Sequence, residues 1–301
     1  MNTEDGRIPI GSAIDSLVEF LLNHFQPLFD VITTGIGSLT NALASALLWV
    51  PGWLLTLALA ALALWRVGWR FALFTLASLS LLAGMNLWPE SINTLALVLA
   101  ATLVSLAIGL PLGIWAARRD AVDRLVRPVL DFMQTMPAFV YLIPAAMFFG
   151  LGRVPGVIAT IIFSMPPAVR LTNLGIRQVP KELVEAGQAF GCTPMQLLFK
   201  VQIPTAKKSI MAGVNQNIML ALSMVVIASM IGAGGLGKEV LRGIQRLEVG
   251  VGFEGGIGVV LLAIILDRIT QSFGDTHHRS ITQRLKTLFT RNTDSQWTGR
   301  P

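Results

Sequence analysis

The sequence predicts an all-α protein: a polytopic membrane bundle of about seven spanning helices preceded by an amphipathic one. Three observations predict it. Charged residues make up 13% of the 301 and apolar ones 53%, with a mean hydropathy of +0.65. An ordinary soluble domain carries about 25% charged residues, so this chain could not cover a water-facing surface of its own size. Uncharged runs are long enough to cross a hydrocarbon layer about 30 Å thick. The basic residues are also unevenly divided between the connections.

Residues 1–7 are polar and acidic and lack the basic start of a secretory signal. Then Ile14, Leu17, Val18, Leu21, Leu22, Phe25 and Leu28 fall at helical spacing, with Asp15, Ser16, Glu19 and Asn23 opposite. That pattern describes an amphipathic helix lying on a membrane or on the bundle. The run from 31 to 45 is uncharged but holds Thr33, Thr34, Ser38, Thr40 and Asn41, with Gly35 and Gly37 between them, so it belongs to the surface segment. Spans are expected at 47–65, 70–88, 92–116, 129–151, 154–175, 209–232 and 252–272. The organisation is thus an interfacial segment 1–46, a transmembrane domain 47–273 and a basic tail 274–301.

With those spans, eighteen of the 23 Lys and Arg residues fall on one side and five on the other. The rich side is cytoplasmic by the positive-inside tendency, which places the N-terminus outside and the tail inside. Trp49, Trp53, Trp65, Trp69, Trp88 and Trp115 sit near span ends, as interfacial aromatics do. The net charge of +6 therefore reads as topology, and no basic surface interleaved with aromatics suggests nucleic acid.

Ionisable groups are almost missing from the middle of the spans, unlike proton pumps and ion-coupled carriers. Asn215, Gln216 and Asn217 form a polar cluster suited to hydrogen bonding between helices or to lining a path. No nucleophile stands with a base, and Cys192 is the single cysteine, so no catalytic or metal site is expected. Gly232 to Gly237 matches G-x-G-x-x-G, yet it ends a hydrophobic helix instead of following a strand. It is expected to stop that helix through tight turns.

The connection 177–208 is long for a helix bundle, and long ordered connections tend to be functional. Pro180 can open a helix, Glu182 and Glu185 suit its positive end, and Gly191 can cap it. Thr193 and Gln196 have capping-box spacing for a second short helix, and Pro204 should break or kink its continuation. Gly187 and Gly191 share a face open to close approach by another protein. A loop packed on its own bundle fits this spacing equally well.

These residues resemble a family. Glu185, Ala186, Gly187 and Gly191, then nine residues, then Val201, Ile203 and Pro204, resemble the E-A-A…G…I-x-L-P loop of bacterial ABC importer permeases. Gly187 stands for the second Ala, Val201 for Ile and Ile203 for Leu. The segments 131–144, 153–160, 170–179 and 228–237 are similar to the permease subunits of glycine-betaine and proline-betaine importers. The resemblance covers about residues 90–272 and implies the type I importer permease fold. It further implies a bacterial inner-membrane homodimer with two cytoplasmic ATPase subunits, which bind ATP and Mg, and a periplasmic or lipid-anchored binding protein.

The implied activity is uptake of glycine betaine, proline betaine or choline as compatible solutes. Alternating access would be driven through Glu185, Ala186, Gly187, Gly191, Val201, Ile203 and Pro204. Phe132, Met136, Tyr141, Asn215 and Gln216 are the candidate lining of the path. The alternatives are a methionine-type amino-acid permease, which shares the loop, and an ATP-independent osmolyte channel, which has no use for it.

Overall fold

The computed structural model describes residues 10–274. Every described element is helical. In chain order, α1 covers Ile10–Trp49, α2 Gly52–Arg66, α3 Trp69–Gly84, α4 Trp88–Arg118, α5 Asp120–Thr135, α6 Leu142–Phe149 and α7 Arg153–Arg177. The loop helices α8, Lys181–Ala189, and α9, Pro194–Leu197, lead into α10, Ile203–Ala228. Two antiparallel helices, α11 at Leu236–Arg246 and α12 at Val249–Gly274, close the fold.

At the centre, α7 lies between α4 and α10. Small residues let the backbones meet, since lipid supplies no hydrophobic drive for helices to associate. A Cβ on Gly113 would sit 2.7 Å from the Val169 carbonyl oxygen, and one on Gly175 would sit 2.6 Å from Ser209 Cβ. The core of Leu97, Val98, Val157, Ile161, Leu222 and Val225 fills the junction. There the Asn217 amide donates to Ser105 Oγ at 2.5 Å and to the Ser164 carbonyl at 2.8 Å.

The bundle has two ends. The loop end holds Arg118, Arg177 and α8, which surround one groove, together with the close of α12, whose Gly274 lies against Met211. The far end holds the start of α4, where Arg153 donates to Asn93 at 3.1 Å and the Leu236 N–H donates to Thr94 Oγ1 at 2.8 Å.

The expected spans need three corrections. The segments 47–65 and 70–88 become α2 and α3, of 15 and 16 residues, because Pro51 and the Gly68 turn cut the helices short. At 1.5 Å per residue they reach about 22–24 Å, less than a full hydrocarbon layer. Both pack on α12 through Leu59, Leu62, Leu79 and Leu82. The expected span 129–151 is broken, with a 106° bend between Asp120–Thr135 and Ala138–Phe149 at Pro137. The residues 31–46 join the preceding amphipathic stretch in one 40-residue helix, of which Val18–Trp49 is long and apolar enough to cross a membrane. Five helices have that length and composition among the described residues, six if the bent pair is one span.

The contacts of α1 nevertheless run along the far end. Phe29 stacks on Phe148 with centroids 4.8 Å apart, Gly37 meets Val154, and Gly52 just beyond the helix meets Trp88. The basic tail 275–301 lies outside the described residues.

Candidate functional site

The loop between α7 and α10 is built on local signals. Pro180 is the N-cap of α8, and Glu182 lies in its first turn. Gly191 ends it with φ +74°, a left-handed conformation that glycine adopts without strain. Thr193 and Gln196 form the complete capping box, with bonds of 2.9 and 3.3 Å.

The second loop helix is not separate, however. It runs through a π turn at Leu198–Gln202 into α10, where Pro204 occupies the first turn. A proline there lacks only an N–H, and the wider π turn takes up the ring without ending the helix.

The loop packs inward on one side and is bare on the other. Val184 and Ile203 rest on the core of Ile176, Val179, Leu198 and Ala206. Gly187 is buried, and a Cβ there would lie 2.7 Å from Leu197 Cδ1. Gly187 therefore serves the packing of α8 on the start of α10, and does not join Gly191 on an open face. Val201 is partly buried, whereas Glu185, Ala186, Gly191 and Pro204 are exposed. Around them Leu183, Phe190, Met195 and Phe199 are exposed apolar side chains, Phe190 by 89%. Apolar side chains of this size, clustered on a charged loop, mark a protein-binding surface.

Beside the loop lies a polar cluster that sequence reasoning missed. Asp123 on α5 is 6% exposed and accepts from Asn173 at 2.7 Å and from Arg127 at 3.0 Å. Arg177 on α7 donates to Asp120 at 2.7 Å, to Asn173 at 2.8 Å and to the Ala116 carbonyl at 2.7 Å. Arg170 pairs with Asp131 one turn further from the loop. These bonds tie the first half of the broken span to α4 and α7. Asp120, Asp123 and Arg127 lie three and four positions apart on α5, and only folding brings Asn173 and Arg177 to them.

The path candidates separate. Tyr141 is buried, and its hydroxyl donates to the Met133 carbonyl at 2.5 Å, so it staples the break at Pro137. Met136 is partly buried beside Met224 and Ile227, and Phe132 is exposed. Asn215 donates to Asp267 at 2.6 Å across to α12. Gln216 is exposed on α10, in a groove of about 580 Å³ shared with Lys208, Met219 and Gln271. The Gly232–Gly237 motif stops α10 with φ of +89°, +81° and +71° at Gly232, Gly234 and Gly235, which is the expected helix stop.

A many-helix apolar bundle, five of whose described helices are long and apolar enough to cross a membrane, defines a multi-pass membrane protein. The chain belongs to the family of binding-protein-dependent transport system inner membrane components, whose family model matches residues 109–281. It is a non-catalytic permease component of an ABC transporter.

The glycine betaine transport system permease protein OpuAB of Bacillus subtilis is 52% identical over 88% of this chain and 94% of its own length. The glycine betaine/carnitine permease GbuB of Listeria monocytogenes is 54% identical over 88% of this chain and 95% of its own length. The glycine betaine/proline betaine permease ProW of Escherichia coli is 50% identical over 89% of this chain and 75% of its own length. Among solved structures, the inward-facing MetNI methionine transporter aligns with a TM-score of 0.54 at 23% identity, covering 63% of this chain and 93% of that one. That likeness concerns the fold.

Proposed function

We propose that this chain is the membrane permease of an ATP-driven importer for glycine betaine and related methylated ammonium solutes, proline betaine, carnitine or choline. The observation that carries this reading is the identity of half or more, over nearly the whole chain, to three permeases named for glycine betaine. Two copies pair with two cytoplasmic ATPase subunits and receive solute from an external binding protein. The exposed face of Glu185, Ala186, Gly191, Phe190 and Phe199 docks on the ATPase, and Gly187, Val201, Ile203 and Pro204 hold that face in position. Closure of the ATPase pair on ATP pushes α8, which packs on Leu197 of α9 at Gly187, and α10 follows because the π turn joins α9 to it without a break. The bundle then rocks between inward and outward openings, a bistable element biased by nucleotide.

The loop end is cytoplasmic in this reading and the N-terminus is outside. The far-end contacts of α1 support a helix lying along the outer boundary of the membrane, so that 1–46 stays peripheral to the domain 47–273. Among the described residues the one buried charged side chain, Asp123, is paired with Arg127, which suits a zwitterion that brings both of its charges with it.

The test is uptake of radiolabelled glycine betaine and choline into proteoliposomes holding the permease with its ATPase and binding protein. Uptake should require ATP, and Glu185→Lys should lower it about tenfold or more, the size of a lost coupling of 1–3 kcal/mol. ATP-independent uptake, or a mutant equal to the parent, would overturn the coupling assignment.

A further inference from the structure

The outward faces of the long helices differ in chemistry. On α4 the exposed mid-helix residues are Leu103, Ala107, Ile108 and Pro111, and on α12 they are Val260 and Ile264. Those faces suit lipid. On α10 the exposed residues beyond its first turn are Lys207, Lys208, Ala212, Gln216, Met219 and Ser223. At about 100° per residue all but Lys207 form one stripe along the helix. Gln216 sits halfway along it, and its amide has no hydrogen-bond partner among the described residues. An amide facing hydrocarbon at that depth is unfavourable, so this face meets something other than lipid.

Two further observations flank the stripe. On one edge, in the loop half, the groove of about 580 Å³ brings Asp267 and Gln271 of α12 to Lys208 and Gln216. On the other edge, in the far half, the broken span packs Met136 and Ala138 beside Ile227 and Met224. Non-helical backbone at membrane depth persists only where protein buries it or water reaches it.

We infer that this stripe of α10 is one wall of the water-filled solute path, with Gln216 the mid-depth contact for the solute. The inference deepens the permease reading and rests on it. The amide at Gln216 can donate to a carboxylate, while Met219 offers a soft surface to methylated ammonium.

The test is thiol accessibility in the assembled transporter. Single cysteines replace Gln216, Ser223, Leu103 and Ile264 in a Cys192→Ala background whose ATP-dependent glycine betaine uptake is measured first. The probe is a trimethylammonium-ethyl methanethiosulfonate, which reacts with a hydrated thiolate. Gln216→Cys and Ser223→Cys should react at least about tenfold faster than Leu103→Cys and Ile264→Cys, because the thiolate forms in water and not in lipid. Their rates should change between nucleotide-free and ATP-bound states, and glycine betaine should slow the reaction at position 216.

Equal rates at all four positions, in a background that transports, would overturn the inference and leave the permease reading intact. A background without glycine betaine uptake would count against the permease reading itself, whatever the labelling pattern.

Discussion

Replacing Gly235 with Ala should be far more damaging than replacing its neighbour Gly234, and the structure gives the sizes. Both residues have left-handed φ, +71° and +81°. Positive φ costs a non-glycine residue about 1–2 kcal/mol, and more at Gly235, whose ψ of −165° puts it where essentially only glycine is found. A Cβ on Gly234 meets nothing within 4 Å, so the backbone cost is its whole penalty. A Cβ on Gly235 would lie 2.5 Å from Thr94 Oγ1 and 3.2 Å from the Thr94 nitrogen. Overpacking of this kind costs about 1–3 kcal/mol.

The same contact would displace the Thr94 hydroxyl from the Leu236 N–H, a bond of 2.8 Å that caps α11 from another helix. Its loss adds about 1 kcal/mol. Gly235→Ala should therefore cost about 3–6 kcal/mol against about 1–2 for Gly234→Ala. With about 2–4 °C of midpoint per kcal/mol for a chain near this size, the purified permease should melt about 10 °C lower in the first case and about 4 °C lower in the second. The assay is thermal unfolding in nanodiscs followed by tryptophan fluorescence. Adding Thr94→Ala to Gly235→Ala should recover part of the loss, as expected for residues in direct contact. Equal midpoints for the two glycine variants would refute the reasoning.

Arg177→Ala should free the first half of the broken span from α4 and α7 at a cost of about 1–2 kcal/mol, since Asp123 keeps Arg127 and Asn173 while Asp120 is already in water. Faster hydrogen exchange confined to 120–135 would support it, and an unchanged pattern would count against it. Asn217→Ala should lower stability by about 1 kcal/mol through the lost bonds to Ser105 and Ser164, the usual size for a polar contact between membrane helices. A melting point equal to that of the parent chain would argue that the three central helices are held by small-residue packing alone.

Much of the loop was legible in the sequence because its signals are local. Thr193 with Gln196, Pro180 before a helix and Gly191 after one act through residues a few positions apart, and each stands where its chemistry requires. The glycine stop at 232–237 was legible for the same reason. The lining of the path was less so. Gln216 is exposed and Asn217 fully buried, although they are neighbours in the sequence, because a step of 100° on α10 turns one to the groove and the other to α4 and α7. Tyr141 is buried because the bend at Pro137 folds its hydroxyl onto the end of α5, a contact between residues eight apart across a break in the helix.

The sequence by itself determined the helical membrane class, the loop with its caps and the family, since hydropathy, turn chemistry and motif spacing are properties of short windows. The tertiary structure decided that α2 and α3 are shorter than a hydrocarbon layer, how α1 lies against the far end, that Gly187 faces inward, and where Asp123 finds its partners. Those outcomes depend on which backbones can approach closely and which side chains meet across helices, and residues far apart in the chain decide that together.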